Sequence, residues 1–145
     1  MLRGDDMRSR VLILATTVSV LSCWTVPASS ADFPYLHDRT ASTLYGPAYR
    51  ALFQGNAAVP AWIQAYNATS KGIETPGSRV FYDDTLFEKY KVCAPQSCDM
   101  GYLVVLFLPG GSQAWAISIL DGKQQFFGNP DPATKQNLIA AAKQP

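Results

Sequence analysis

Six residues, Cys93-Ala94-Pro95-Gln96-Ser97-Cys98, hold most of the chemistry that this 145-residue chain can offer. The only other cysteine is Cys23, and the only histidine is His37. Two thiols at this spacing can form a redox centre, part of a metal clip, the staple of a rigid binding tip, or a bridge that only closes a hairpin. A reactive thiol needs a positive neighbour or a helix N-terminus. Ala94, Pro95, Gln96 and Ser97 bring no charge, and the spacing is not Cys-x-x-Cys. Zinc asks for four ligands, which two cysteines and a distant His37 do not supply. No metal and no cofactor is therefore expected. An enzyme needs a nucleophile beside a base, or a pair of carboxylates. His37 falls in an N-terminal lead segment with no evident nucleophile partner, Asp83-Asp84 reads as turn chemistry, and Asp121 belongs to a hairpin. No residue is assigned a catalytic role, and the chain reads as a binding protein.

What the thiols do depends on compartment, and the N-terminus speaks to that. Arg8 and Arg10 precede the apolar run Val11-Leu12-Ile13-Leu14-Ala15, and the small residues Ala28-Ser29-Ser30-Ala31 precede Asp32. Basic, apolar and small segments in that order read as a secretory signal peptide over residues 1–31, removed on export. Asp5 and Asp6 fit its basic region poorly, so Met7 is an alternative start. A retained anchor competes with this reading, but the strongly apolar part ends near Trp24, short of the roughly 20 residues of a spanning helix. Lipidation at Cys23 competes too, with Leu21 standing where a small residue is preferred. Removing residues 1–31 takes Cys23 away and leaves an even pair in an oxidising compartment. Residues 32–145 then form a single domain with nine Lys/Arg against nine Asp/Glu. That balance lacks the basic surface of a nucleic-acid binder, and no membrane partner is expected of the mature form.

The elements that position the loop follow from periodicity. Leu44, Ala48 and Leu52 recur at helical spacing with Tyr45, Tyr49 and Phe53 beside them, Pro47 in the first turn and Gly55 past the end. Val59-Pro60-Ala61-Trp62-Ile63 predicts a short helical turn that buries Trp62, and residues 67–77 read as loop. Residues 79–82 predict a short strand stopped by Asp83-Asp84. Leu86, Tyr90 and Val92 alternate with Phe87, Lys89 and Lys91, a strand with one apolar face. Its two lysines form either a solvated edge or a steering charge. Residues 102–108 are a continuous apolar run, as in a central strand covered on both sides, and residues 109–112 turn. Trp115, Ile117 and Ile119 alternate on the next strand, Asp121-Gly122 makes a two-residue hairpin loop, and residues 124–128 return. Asp131 caps, and Pro132 opens, a C-terminal helix with Leu138, Ile139 and Ala142 turned inward. The fold class is α+β: a central antiparallel β-sheet meander with helices packed on it.

On this map the cysteine loop is a hairpin tip. A Cys93–Cys98 bridge restricts the unfolded chain by only about 2 kcal/mol. With Pro95 also fixing φ, the tip has little conformational freedom left to lose on binding. The loop resembles the Cys-Lys-Pro-His-Asp-Cys loop of the Ivy family, the periplasmic inhibitors of vertebrate c-type lysozyme. Phe53-Gln54-Gly55 followed by Val59-Pro60-Ala61-Trp62 is similar to that family's Gln-Gly and Leu-Pro-Ala-Trp segment, and the resemblance spans roughly residues 40–142. It implies a disulfide-closed loop that projects from one end of the sheet and enters the enzyme's cleft. There the family's histidine bonds both catalytic carboxylates, which a retaining glycosidase holds about 5 Å apart. An imidazole suits that task, with a nitrogen on either edge and the capacity for positive charge.

In this chain Gln96 stands at the family's histidine, Ala94 at its lysine and Ser97 at its aspartate, while Cys93, Pro95 and Cys98 are kept. Gln96 retains two N–H donors on one nitrogen but no charge, a loss of about 1–2 kcal/mol per bond. The implied inhibitory loop is Cys93, Ala94, Pro95, Gln96, Ser97 and Cys98. Gln96 is its contact, Pro95 its shaper, Ser97 a further hydroxyl and the cysteines its frame. The expected partner is c-type lysozyme or another muramidase. One alternative is a different wall-cleaving enzyme such as a lytic transglycosylase. Another is a non-inhibitory relative that binds a different periplasmic partner, through a patch of Tyr35, Tyr45, Tyr49 and Phe53 or as a homodimer. Helical spacing makes those aromatics core residues first, and Trp62 and Trp115 read the same way. Asn67-Ala68-Thr69 matches a glycosylation acceptor, which a bacterial periplasm leaves unmodified.

Overall fold

Alternating side chains along residues 73–127 build one five-stranded antiparallel sheet whose strand order equals chain order. Its strands are β1 (Ile73–Tyr82), β2 (Thr85–Cys93), β3 (Gly101–Phe107), β4 (Ala114–Leu120) and β5 (Lys123–Phe127). Two connections are minimal. Asp83 and Asp84 sit at φ 46° and 61°, and Asp121 and Gly122 at 49° and 73°, the left-handed pairs that match strand twist in two-residue hairpins. The computed structural model describes residues 33–56 and 58–145. The expected signal peptide, the alternative start at Met7 and the lipidation candidate Cys23 lie outside the described residues.

The middle strand shows why the sheet needs cover on both sides. Leu103, Val105 and Phe107 of β3 join one apolar cluster and Val104 and Leu106 the other, all fully buried. Three helices cover the first face: α1 (Leu36–Ala41), α2 (Gly46–Ala51) and α3 (Ala61–Thr69). The second face carries α4 (Pro132–Lys143), which buries Leu138, Ala141 and Ala142 against Val104, Leu106 and Ile117. Asp131 caps it as expected, its carboxylate accepting the Thr134 N–H at 2.7 Å. The architecture is thus the α+β meander with packed helices, and the cysteine loop joins β2 to β3.

Several local expectations shift. The lead segment is not unstructured: residues 36–41 form α1, whose Asp38 carboxylate accepts the Tyr35 N–H at 3.1 Å. In α2 the inward stripe is Tyr45, Tyr49 and Leu52, while Leu44 is 67% exposed. The turn expected around Trp62 extends to Thr69; Ile63 and Tyr66 are its buried residues, and Trp62 is only half-buried. Residues 73–77, read as loop, are the first half of β1, paired with β2 from Ile73↔Cys93 onward. A register shift between Thr75 and Ser78 absorbs Pro76 and Gly77, the bulge that proline demands of a strand. Gly77 is required there, because a Cβ would overlap the Tyr90 ring.

Candidate functional site

The β2–β3 hairpin is wider than its neighbours, and its ladder closes on the cysteine loop. Ile73, Cys93 and Tyr102 lie in register across three strands, so the loop leaves the sheet at one end. Cys93 and Cys98 are joined in a disulfide with their Cα atoms 4.6 Å apart. The first half of the loop is anchored: Cys93 and Ala94 are buried, and the Ala94 N–H donates to the Gly101 carbonyl at 2.9 Å. The second half is a turn built on Ser97. Its hydroxyl oxygen accepts the Asp99 N–H at 3.1 Å and its carbonyl accepts the Met100 N–H at 3.3 Å. Pro95, Gln96 and Cys98 are left exposed.

The six loop residues therefore divide in role. Pro95 and Gln96 form the accessible tip, Ala94 faces inward, and Ser97 spends hydrogen-bonding capacity on the turn. Sequence reasoning passed over the shoulders. Ile73 is 46% exposed and pairs with Cys93, and Met100 is 53% exposed just before β3. Two large apolar side chains beside the tip extend its exposed surface. The paired lysines behave differently from a solvated edge. Lys89 is buried at 8% exposure, donates to the Pro145 carbonyl at 3.1 Å, and has its pKa lowered by burial and then by Lys91. The reason is tertiary: the chain beyond α4 folds over the middle of β2. Lys91 lies over the Tyr102 ring at 4.7 Å.

The helical face carries a polar layer that no local motif announced. His37 Nδ1 meets Glu74 Oε1 at 3.1 Å, the Tyr66 hydroxyl donates to the same oxygen at 3.0 Å, and His37 Nε2 lies 3.3 Å from Asp38. A second group joins Arg39 to Glu88 at 3.2 Å and to the Tyr90 hydroxyl at 2.7 Å. Burial, followed by the charge of Glu74, drives the Tyr49 and Tyr66 hydroxyls far up from the ordinary tyrosine value. Burial also pushes Tyr90 up to about 12, against the pull of Arg39. A histidine between carboxylates invites an acid–base reading, and the same contacts tie α1 to α3 and β1. His37 is thus a brace in a helix, not a side chain in a free lead.

The aromatic set does not form one patch. Tyr45 and Tyr49 are buried, Phe53 is half-buried and Tyr35 is 41% exposed. Asn67, the glycosylation candidate, accepts the Tyr49 hydroxyl through its side-chain oxygen at 2.7 Å. Among the described residues no cluster of three or more His, Cys, Asp or Glu is placed to hold a metal, and no helix is long and apolar enough to cross a membrane. Comparison with protein-family models and with curated proteins finds no match for this chain.

Proposed function

We propose that this chain is an exported Ivy-like inhibitor that plugs the active-site cleft of a muramidase with its Cys93–Cys98 loop. The observation that carries the proposal is the division within the loop. Pro95 and Gln96 are exposed at the tip, while the disulfide, the buried Ala94 and the Ser97 turn fix everything beneath them. A tip ordered in advance loses little entropy on binding. Gln96 offers two N–H donors to carboxylates at the floor of the cleft, and its carbonyl accepts from any donor beside them.

The test is a titration of the oxidised protein against a c-type lysozyme, following cell-wall lysis. Inhibition at nanomolar to micromolar concentrations is expected, and its loss in Gln96→Ala places the tip in the cleft. No inhibition at tens of micromolar overturns lysozyme as the target. The uncharged tip favours a second reading, in which the loop serves a wall-cleaving enzyme with fewer carboxylates, such as a lytic transglycosylase. The same titration against such an enzyme decides between them.

A further inference from the structure

A cavity of about 210 Å³ opens on the helical face, lined from α1, α2, α3 and their ends and by no residue of the cysteine loop. Its lining joins the aromatic rings of Tyr49, Phe53 and Tyr66 to the polar residues Thr40, Arg50, Asn67 and Ser70. Arg50 and Asn67 have donors left to give, while the hydroxyls of Thr40 and Ser70 can also accept. The guanidinium of Arg50 has no acceptor and makes no salt bridge among the described residues. The carbonyl end of the Asn67 amide is committed to the Tyr49 hydroxyl at 2.7 Å, so its NH2 end remains. Tyr66 spends its proton on Glu74, and that carboxylate is engaged in turn by His37.

The unpaired Arg50 cation and the Asn67 NH2 beside aromatic rings suit a ligand that accepts hydrogen bonds at one end and is apolar at the other. Size narrows it further. The cavity is smaller than the roughly 300–1,000 Å³ of sites that take drug-sized ligands. Tyr49 and Phe53, whose ring centroids are 5.3 Å apart at an interplanar angle of 71°, meet edge to face and make an angled apolar corner that a compact group can occupy. We propose that this cavity binds a small carboxylate with a compact apolar body, its oxygens held by Arg50 and Asn67 against the Phe53 ring.

Amide chemical-shift titrations of the protein with benzoate, benzamide and benzylamine test it. A ligand this small is held at roughly millimolar affinity. Benzoate is expected to shift the amides of Arg50, Phe53, Asn67 and Ser70 saturably, with benzamide and benzylamine weaker by about tenfold or more. Arg50→Gln removes the charge at an exposed position, and Asn67→Asp keeps the acceptor for Tyr49 while opposing an anion. Each is expected to weaken benzoate by a similar factor with a native spectrum retained. N-acetyl-alanyl-alanine and its amide tell a peptide C-terminus from a free acid, since localised binding of either free-carboxylate probe, lost in its uncharged form, supports the site. The proposal is overturned if benzamide matches benzoate, if Arg50→Gln binds as the parent does, or if neither carboxylate probe perturbs these amides at tens of millimolar.

Discussion

At the tip of the cysteine loop a glutamine amide presents two N–H donors on one nitrogen, where an imidazolium presents donors on opposite edges together with a charge. Gln96→His is therefore expected to tighten lysozyme inhibition by about tenfold or more near pH 6, the free-energy difference between neutral and charge-assisted bonds. The gain shrinks toward pH 8 as the free imidazole loses its proton. Inhibition constants at the two pH values check this, and a gain that ignores pH removes the carboxylates from the account. A different single residue governs the interior. Glu88 is 5% exposed and depends on Arg39, which also donates to the Tyr90 hydroxyl. Arg39→Met leaves that carboxylate buried without its cation, a change that costs about 3–5 kcal/mol for buried pairs. Urea unfolding of the variant should show a midpoint well below that of the parent, with the m-value unchanged.

Elements differ in how openly the sequence declares them. β2 to β5 and α4 were legible because each states its own pattern: alternation, a continuous apolar run, Asp121-Gly122, Asp131-Pro132. The first half of β1 was hidden, since Pro76 and Gly77 look like loop and pair only by way of a bulge. Residues 36–41 were hidden because a six-residue helix is too short to stand alone; what holds it is His37 on Glu74 and Arg39 on Glu88, contacts that span 37 and more residues. The cysteine loop was legible as a hairpin tip, whereas its shoulders Ile73 and Met100, set beside it by strand register and chain direction, were not. The loop's own prediction belongs at this scale. Replacing Cys93 and Cys98 together by Ala is expected to lower stability by about 2 kcal/mol. Inhibition should fall by more than the fraction unfolded explains, because the tip must then be ordered on binding. Paired denaturation and inhibition measurements separate the two, and an unchanged inhibition constant removes rigidity from the mechanism.

Across the whole molecule the two faces of the sheet differ in polarity, and that difference sets the response to alkali. The helical face encloses Tyr49, Tyr66 and Tyr90, each buried and each with its hydroxyl pushed upward, Tyr90 to about 12 and the other two further. Unfolded tyrosines ionise near pH 10. Between that value and the folded ones the unfolded chain binds fewer protons than the native one, so stability falls as pH rises. Each tyrosine contributes a slope of about 1.4 kcal/mol per pH unit in its window. On the other face Lys89 opposes this weakly and earlier, while the half-buried Tyr82, pushed up by burial, adds to the loss. The lowered pKa of Lys89 means the unfolded chain binds more protons just below the ordinary lysine value, so stability rises with pH there and levels off above it. The expected curve is therefore a shallow rise approaching pH 10 followed by a steep loss above it. Absorbance at 295 nm should show these tyrosinates forming together with unfolding, not before it. In Lys89→Met, which replaces a mostly buried cation by an apolar chain of similar shape, the shallow rise should vanish while the steep loss remains. Tyrosines that titrate at pH 10 in the native state would mean that the helical layer does not seal this face.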